Sequence, residues 1–581
     1  MKPPLLAACL LGAALAHASA AFAARPLSFP VAPIQWAACG ADTFADSEAD
    51  VAKVKKALGQ RLGDRLQCAR MHVPLDHYHP EGPRMTVGLI RARALDTPKR
   101  EGAYFFHIGG PGGNPGDFII AAASKWSLAD STHAVTGWQR KVAERFDLVA
   151  VIPRGLEGGD SFQCRGIDSI ESPPDALSDW AATSEAARDI AENCAANPAA
   201  RWIGTEQHVF DLEQARLAMG ESKLHFVGYS YGGMAGAWYR AMFPATAGRM
   251  LLDSSIDFTA SIDDADLATL GERQREFQRR ALRPLLAKPA LYGVTGDEAD
   301  VLRDIHAMPA RARNAWLPLV QSAASLKATL VLGSWLAEQN WMTESEMHAR
   351  LANTRFSADA PTEARVRRRA EALIGTYFGN DADVIEALDA AEPDAEVVHG
   401  NAWYNRRLGT RESVFLATRC NDNPWEGTDT HWRNVMRERS ATFPAARQGV
   451  EFFSLVCTRW SARTSQRPSL EPIHHTSPFL LIHAEHDVRT PLDGAARILD
   501  RYPGARLVVA KGVSGHAILA TSHTPCVESA AGHYLLTGQV PEARLSSCAY
   551  VKRPRRARHE DHHPRVPTDA DELMERALQS G

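Results

Sequence analysis

Gly228-Tyr229-Ser230-Tyr231-Gly232 sets a serine between two glycines at G-x-S-x-G spacing. A serine hydroxyl is a weak nucleophile at neutral pH. It attacks a carbonyl when a histidine takes its proton and a carboxylate orients that histidine. The spacing suits a sharp strand-to-helix turn that lifts the hydroxyl into an open site. The context fits: an apolar run at 224–227 precedes it, and small residues (Gly232, Gly233, Ala235, Gly236, Ala237) open a helix running towards Met242. The N–H of Tyr231 would then stand at a helix N-terminus and could stabilise an oxyanion.

Chains that use this turn carry the acid next and the histidine last. The acid candidate is Asp487, just past an apolar strand at 479–483, with Thr490-Pro491 supplying a tight turn to hold its carboxylate. Glu485, His483 and His486 are rivals in the same stretch. Gly515-His516 follows the next strand, and 29 residues separate Asp487 from His516, room for one helix and one strand. A second oxyanion donor is expected in the glycine loop after the 103–108 strand, at Gly110 with Gly109 as rival. That loop lacks the G-K-[ST] of a phosphate-binding loop. Gly159-Asp160-Ser161 reads as a structural turn rather than a second nucleophile.

The elements that must hold these residues follow from the pattern. Apolar runs at 103–108, 148–152 and 224–227, each followed by a turn or helix, have the rhythm of a parallel α/β sheet. The rhythm returns after 475, with strands at 479–483 and 507–510 and a helix at 492–499. Between them the chain is rich in Ala, Arg, Glu and Leu at helical spacing and holds seven of the 13 tryptophans. These read mainly as helical core; the sharper reading is a lid lining a pocket. The expected division is residues 1–23 as a signal peptide, 24–259 and 471–551 as two parts of one core, 260–470 as an inserted helical cap, and 552–581 as a polar tail. The tail's histidines at 559, 562 and 563 are only a weak metal signal.

Lys2, an apolar run at 5–16 and small residues at 18–23 form the leader pattern, and the run is too short to span a membrane comfortably. Nine cysteines become eight without Cys9, an even number that suggests disulfides in an exported protein. Sequence neighbours give Cys39–Cys68, Cys164–Cys194, Cys420–Cys457 and Cys526–Cys548, the simplest of 105 pairings. With 45% hydrophobic and 23% charged residues, the 581-residue chain is ordinary globular protein, not disordered or collagen-like. A net charge of −4 gives no nucleic-acid footprint.

Further motifs are Val73-Pro74-Leu75-Asp76-His77, Gly109-Gly110-Pro111-Gly112-Gly113, Pro153-Arg154-Gly155, Asp487-Val488-Arg489-Thr490-Pro491, Gly515-His516 and the stretch from Cys526 to Cys548. With the Ser230 turn, they together resemble the secreted tripeptidyl aminopeptidase and prolyl iminopeptidase branch of the α/β-hydrolase serine peptidases. Ile108 stands where that family often has histidine. The resemblance implies an α/β-hydrolase core with a helical cap, a Ser230–Asp487–His516 triad, and release of short peptides or single residues from free N-termini. Such a substrate needs a carboxylate for its ammonium, and Asp422 and Glu485 are the candidates. A carboxylesterase would share the triad. A binding protein on a dead hydrolase scaffold would not need it. The expected partner is a peptide or small ester, with no nucleic acid, no stable membrane insertion, and no metal or organic cofactor required.

Overall fold

The computed structural model describes residues 31–45, 49–164, 169–170, 177, 179–339, 341–379, 406–445, 450–521, 524–549 and 566–580. The expected leader and the tail histidines lie outside these residues.

The strands are β1 (Ala37–Ala38), β2 (Leu66–Pro74), β3 (Arg84–Ala92), β4 (Gly102–His107), β5 (Phe146–Val151), β6 (Ser169–Ile170), β7 (Leu224–Tyr229), β8 (Ala247–Asp253), β9 (Arg406–Arg407), β10 (Phe479–Ala484), β11 (Ala505–Lys511) and β12 (Leu545–Ala549). Ten of them form one sheet in the order β1-β2-β3-β5-β4-β7-β8-β10-β11-β12, while β6 and β9 pair separately. Pairings among β5, β4, β7, β8, β10, β11 and β12 are parallel. The β1–β2, β2–β3 and β3–β5 pairings are antiparallel.

Strands β4, β5 and β10 are buried at every residue. Helices cover both faces, so these strands read as unbroken apolar runs rather than as alternation. Phe105, Val149, Phe226, Leu252 and Leu481 fill one layer. Tyr104, Leu148, Val227, Leu251 and Leu480 fill the other.

Between β8 and β10 the described residues are mainly helical apart from β9, including Ile262–Phe277, Ala323–Gln339, Ala360–Tyr377, Thr410–Asp422 and Val450–Thr458. Part of this block has its own core, with Trp316 and Trp335 packed among Leu326, Leu336 and Leu373. The indole of Trp316 donates to the Leu373 carbonyl at 2.8 Å. Trp432 and Trp460 instead join the core beside the sheet, whereas Trp341 is exposed. The four disulfides pair as sequence neighbours, and they fit an exported protein.

The C-terminus departs from expectation. Instead of a polar tail, residues Val566–Ser580 form a helix against the helix Gly116–Leu128. Ala570, Leu573, Met574, Ala577 and Leu578 are buried. Their spacing makes one apolar stripe, and Asp571 pairs with Lys125. The charged stretch before it masks that stripe in a composition-based reading. The Gly159-Asp160-Ser161 turn is pinned to β3: the Asp160 carboxylate accepts the Thr86 N–H at 2.8 Å.

Candidate active site

Strand β7 ends at Tyr229, and the helix Gly232–Met242 begins two residues beyond Ser230. Ser230 is forced into left-handed backbone, φ 55°. A side chain at position 228 would put its Cβ 2.6 Å from the Gly232 carbonyl oxygen, so glycine lets strand and helix close on each other. Among the described residues, the non-glycine ones with positive φ are Ser230, Ser254, Ala517 and Ala520. All four lie on the turn or in the loops braced against it. Strain of this kind persists only where the surroundings over-determine it.

Those loops leave the carboxyl ends of neighbouring strands β7, β8, β10 and β11, where ligands collect on open parallel sheets. Asp487 follows β10 and is wholly buried. Its Oδ1 accepts the N–H groups of Arg489 (2.8 Å) and Thr490 (3.0 Å), and its Oδ2 meets His516 Nδ1 at 2.8 Å. Burial pushes its pKa up, but His516, His483 and the Thr490 N–H more than offset this and hold it at about 2. The imidazole therefore donates from Nδ1, and in a neutral ring Nε2 is the basic nitrogen. That atom is buried and has no hydrogen-bond partner among the described residues.

The rivals sit elsewhere. His483 is buried in β10 and donates Nε2–H to the Thr490 carbonyl at 2.6 Å, bracing the turn under Asp487. Glu485 accepts from Lys511 Nζ (2.7 Å) and the Gly512 N–H (2.8 Å). His486 faces Glu276 and Glu485. Glu485 and His486 line a cavity of about 480 Å³ with Glu272, Glu276, Arg275 and Arg279 of the first cap helices. Glu272, Glu276 and His486 converge there, but the two glutamates are already ion-paired with Arg275 and Arg279.

In the glycine loop after β4, the Gly109 N–H donates to His107 Nδ1 at 3.0 Å. Gly109 has φ 98°, and a Cβ there would lie 2.8 Å from the Ser230 Cβ and 3.2 Å from the Tyr231 nitrogen. The loop thus touches the Ser230 turn. Among the described residues nothing accepts from the N–H groups of Gly110 or Tyr231. With Gly109 occupied, Gly110 is the donor left free. His107 accepts this bond because it is neutral: burial and neighbouring His208 push its pKa down to about 3.

Sequence reasoning missed the brace that joins these loops. The carbonyl of Asp253, at the end of β8, accepts the Ser230 N–H at 3.0 Å. Its carboxylate accepts the Leu519 N–H at 2.7 Å. Ser254 Oγ accepts the Ala517 N–H at 3.0 Å, and the Ser254 carbonyl accepts from Thr490 Oγ1 at 2.8 Å. One dipeptide thus holds the residues beside Ser230, Asp487 and His516. An Asp-Ser pair ending a strand carries no motif, so only the fold reveals it.

Asp253 also makes a pH prediction. Burial pushes its pKa to about 7, despite lowering by the Leu519 and Ile518 N–H groups and the Ser254 hydroxyl. The folded state then holds a proton that the unfolded chain releases near the ordinary 3.8. The stability from that proton is complete below about pH 4 and is lost as pH rises through about 7. Asp253→Asn should flatten the fall in Tm between pH 5 and 8, read by calorimetry at fixed ionic strength. An unchanged slope would show that Asp253 does not carry it.

Two motifs of the family resemblance are structural. Arg154 donates to both Asp211 oxygens (2.9 and 2.7 Å), and His77 Nε2 lies 2.8 Å from the same carboxylate. All three are buried. Burial pushes the Asp211 pKa up, but Arg154 and His77 overcome it and hold the group at about 2. Asp422 precedes the loop that its Asn-Pro context marks. It ends the helix Thr410–Asp422 and is buried against Thr205 and Tyr231.

Residues 445–548, which include Asp487 and His516, match the family described as TAP-like protein. The tripeptidyl aminopeptidase of Streptomyces lividans is 26% identical over 560 residues, covering 94% of this chain and 90% of that protein. Carboxylesterase B of Mycobacterium tuberculosis (strain ATCC 25618 / H37Rv) is 24% identical over 492 residues, 82% of this chain and 86% of that protein. Among solved structures, esterase E22 is 12% identical, covers 81% of this chain and all of that one, and has a TM-score of 0.31, too low to build on. By its sheet order and these sequence similarities the chain is a serine hydrolase of the α/β-hydrolase fold whose C-terminal part is similar to the TAP-like family.

Proposed function

We propose that the protein releases short peptides from free N-termini through an acyl-enzyme formed on Ser230. Ser230 Oγ attacks the scissile carbonyl carbon while His516 Nε2 takes its proton. Asp487 holds the imidazole in that tautomer and stabilises its charged form. The N–H groups of Tyr231 and Gly110 receive the oxyanion. The amine leaves with the proton from His516, and water then frees the peptide acid by the reverse steps.

The observation that carries this reading is the His516 ring, with Nδ1 bound to a buried, ionised Asp487 and Nε2 left unpartnered. The alternative, a carboxylesterase, has the same chemistry and is favoured by the similarity to carboxylesterase B. Of the two carboxylates expected to meet the substrate ammonium, Glu485 lines the cavity at the cap junction, whereas Asp422 is walled off. On this reading Glu485, which pairs with Lys511, is the carboxylate that would take the ammonium. The site of action is the periplasm or the medium. Among the described residues no helix is long and apolar enough to cross a membrane.

The test compares kcat/KM on a free tripeptide amide, its N-acetylated twin, a prolyl amide and a short acyl ester. Cleavage of the free tripeptide should exceed that of the acetylated twin by roughly tenfold or more, the worth of one charged contact. Glu485→Gln should raise KM for the free amine alone. Preference for the ester without regard to the amine would leave an esterase.

A further inference from the structure

We propose that Asp422 is a positioning residue, which fixes the Tyr231 side chain and through it the backbone N–H assigned to the oxyanion. The inference rests on the reading of Ser230 given above, since Tyr231 is the residue that follows it.

Three donors converge on the Asp422 carboxylate. The Thr205 N–H reaches Oδ1 at 3.0 Å, the Thr205 hydroxyl reaches Oδ2 at 2.6 Å, and the Tyr231 hydroxyl donates to Oδ2. Thr205 begins the helix Thr205–Ala218, whose N-terminal dipole favours a carboxylate there. The position of Asp422 is itself fixed by its neighbours. Asn421 Nδ2 donates to the carbonyls of Ala200 (2.7 Å) and Ile203 (2.9 Å), and its Oδ1 accepts the Trp460 indole N–H at 2.8 Å. Cys420 is bridged to Cys457. The Tyr231 ring is buried, and its hydroxyl keeps its proton because burial and Asp422 push its pKa up. Other charged groups near the carboxylate are Glu206 and Arg467.

This arrangement suits a strut better than a ligand for substrate. The carboxylate is buried, and each oxygen already accepts at least one hydrogen bond. The Tyr231 side chain joins it to the residue whose N–H leaves the strained turn. Misplacing a catalytic group by about an ångström can cost a factor of 10² in rate. Losing the strut would therefore lower kcat for every substrate rather than affinity for one.

The experiment measures kcat and KM for Asp422→Asn, Tyr231→Phe and the double variant, on the free tripeptide amide and on the acyl ester. Thermal unfolding curves and Ser230→Ala run alongside. Each single change should lower kcat roughly 10- to 100-fold on both substrates, with KM within about threefold and the double variant no worse than the worse single. Tyr231→Phe removes one hydroxyl, so it keeps the test open if Asp422→Asn does not fold. A rise in KM confined to the free amine would make Asp422 the ammonium ligand and overturn the proposal. So would full kcat in folded variants with only a lowered Tm. Turnover surviving in Ser230→Ala would instead remove the reading of Ser230 on which the proposal rests.

Discussion

Replacing Ser230 with alanine is expected to lower kcat by roughly 10⁴- to 10⁶-fold while KM stays within a few-fold. The hydroxyls of Ser254 and Thr490 on the bracing loops are already engaged. Ser254 Oγ is engaged with Asp253 and the Ala517 N–H. Thr490 Oγ1 lies 2.8 Å from the Ser254 carbonyl and 3.1 Å from Asp487. The backbone donors of Tyr231 and Gly110 survive the change, so binding and a residual rate over water should persist. Folding should survive too: Ser230 is held through its main chain, by the Asp253 carbonyl at its N–H and by the Gly233 and Ile256 N–H groups at its carbonyl. Steady-state kinetics with a fluorogenic substrate, fluorophosphonate labelling and Tm check the three parts. Labelling of the alanine variant, or kcat above about one per cent, would mean that the nucleophile lies elsewhere.

The interior of the sheet is legible in the sequence, its rim much less so. Strands β4, β5, β7, β10 and β11 are buried on both faces, so helices on each side demand continuous apolar runs that stand out by themselves. Strand β2, next to the two-residue edge strand β1, reads Leu-Gln-Cys-Ala-Arg-Met-His-Val-Pro, with its polar residues at least partly exposed, and its pairing with β3 leaves no comparable mark. The disulfides are legible because each joins sequence neighbours 22 to 37 residues apart. The meeting of Asp487 with His516 is legible because both residues follow consecutive strands, and chain order limits the choices. The Asp253–Ser254 brace and the Asp422 strut are not. Tyr231 and Thr205 lie 191 and 217 residues from Asp422. No local pattern encodes such a bond, and Asn-Pro beside the aspartate marks only the loop that starts at Asn423, after the helix that carries Asp422.

Asp487→Asn should cost about 10⁴ in kcat, the effect of that substitution in a triad that otherwise keeps its geometry. The surroundings decide which way the amide turns. Two backbone N–H groups, of Arg489 and Thr490, point at Oδ1, so the carbonyl oxygen of asparagine must stay there. The NH₂ then takes the place of Oδ2, 2.8 Å from His516 Nδ1, and becomes a donor where an acceptor stood. The ring can answer only by moving its proton to Nε2, which loses the lone pair that would take the Ser230 proton. The fold should tolerate the change at neutral pH, since the bonds to Arg489 and Thr490 remain. The linked stability runs in a definite direction. With a folded pKa of about 2 against an ordinary 3.8, the carboxylate stabilises the protein above about pH 4, and this contribution is lost as pH falls through 2. The variant should therefore show a shallower acid loss of Tm together with its lost turnover. Full activity in Asp487→Asn would transfer the role to another carboxylate. Glu485 is the nearest in sequence, but its bonds to Lys511 and Gly512 hold it away from the His516 ring nitrogen that Asp487 now occupies.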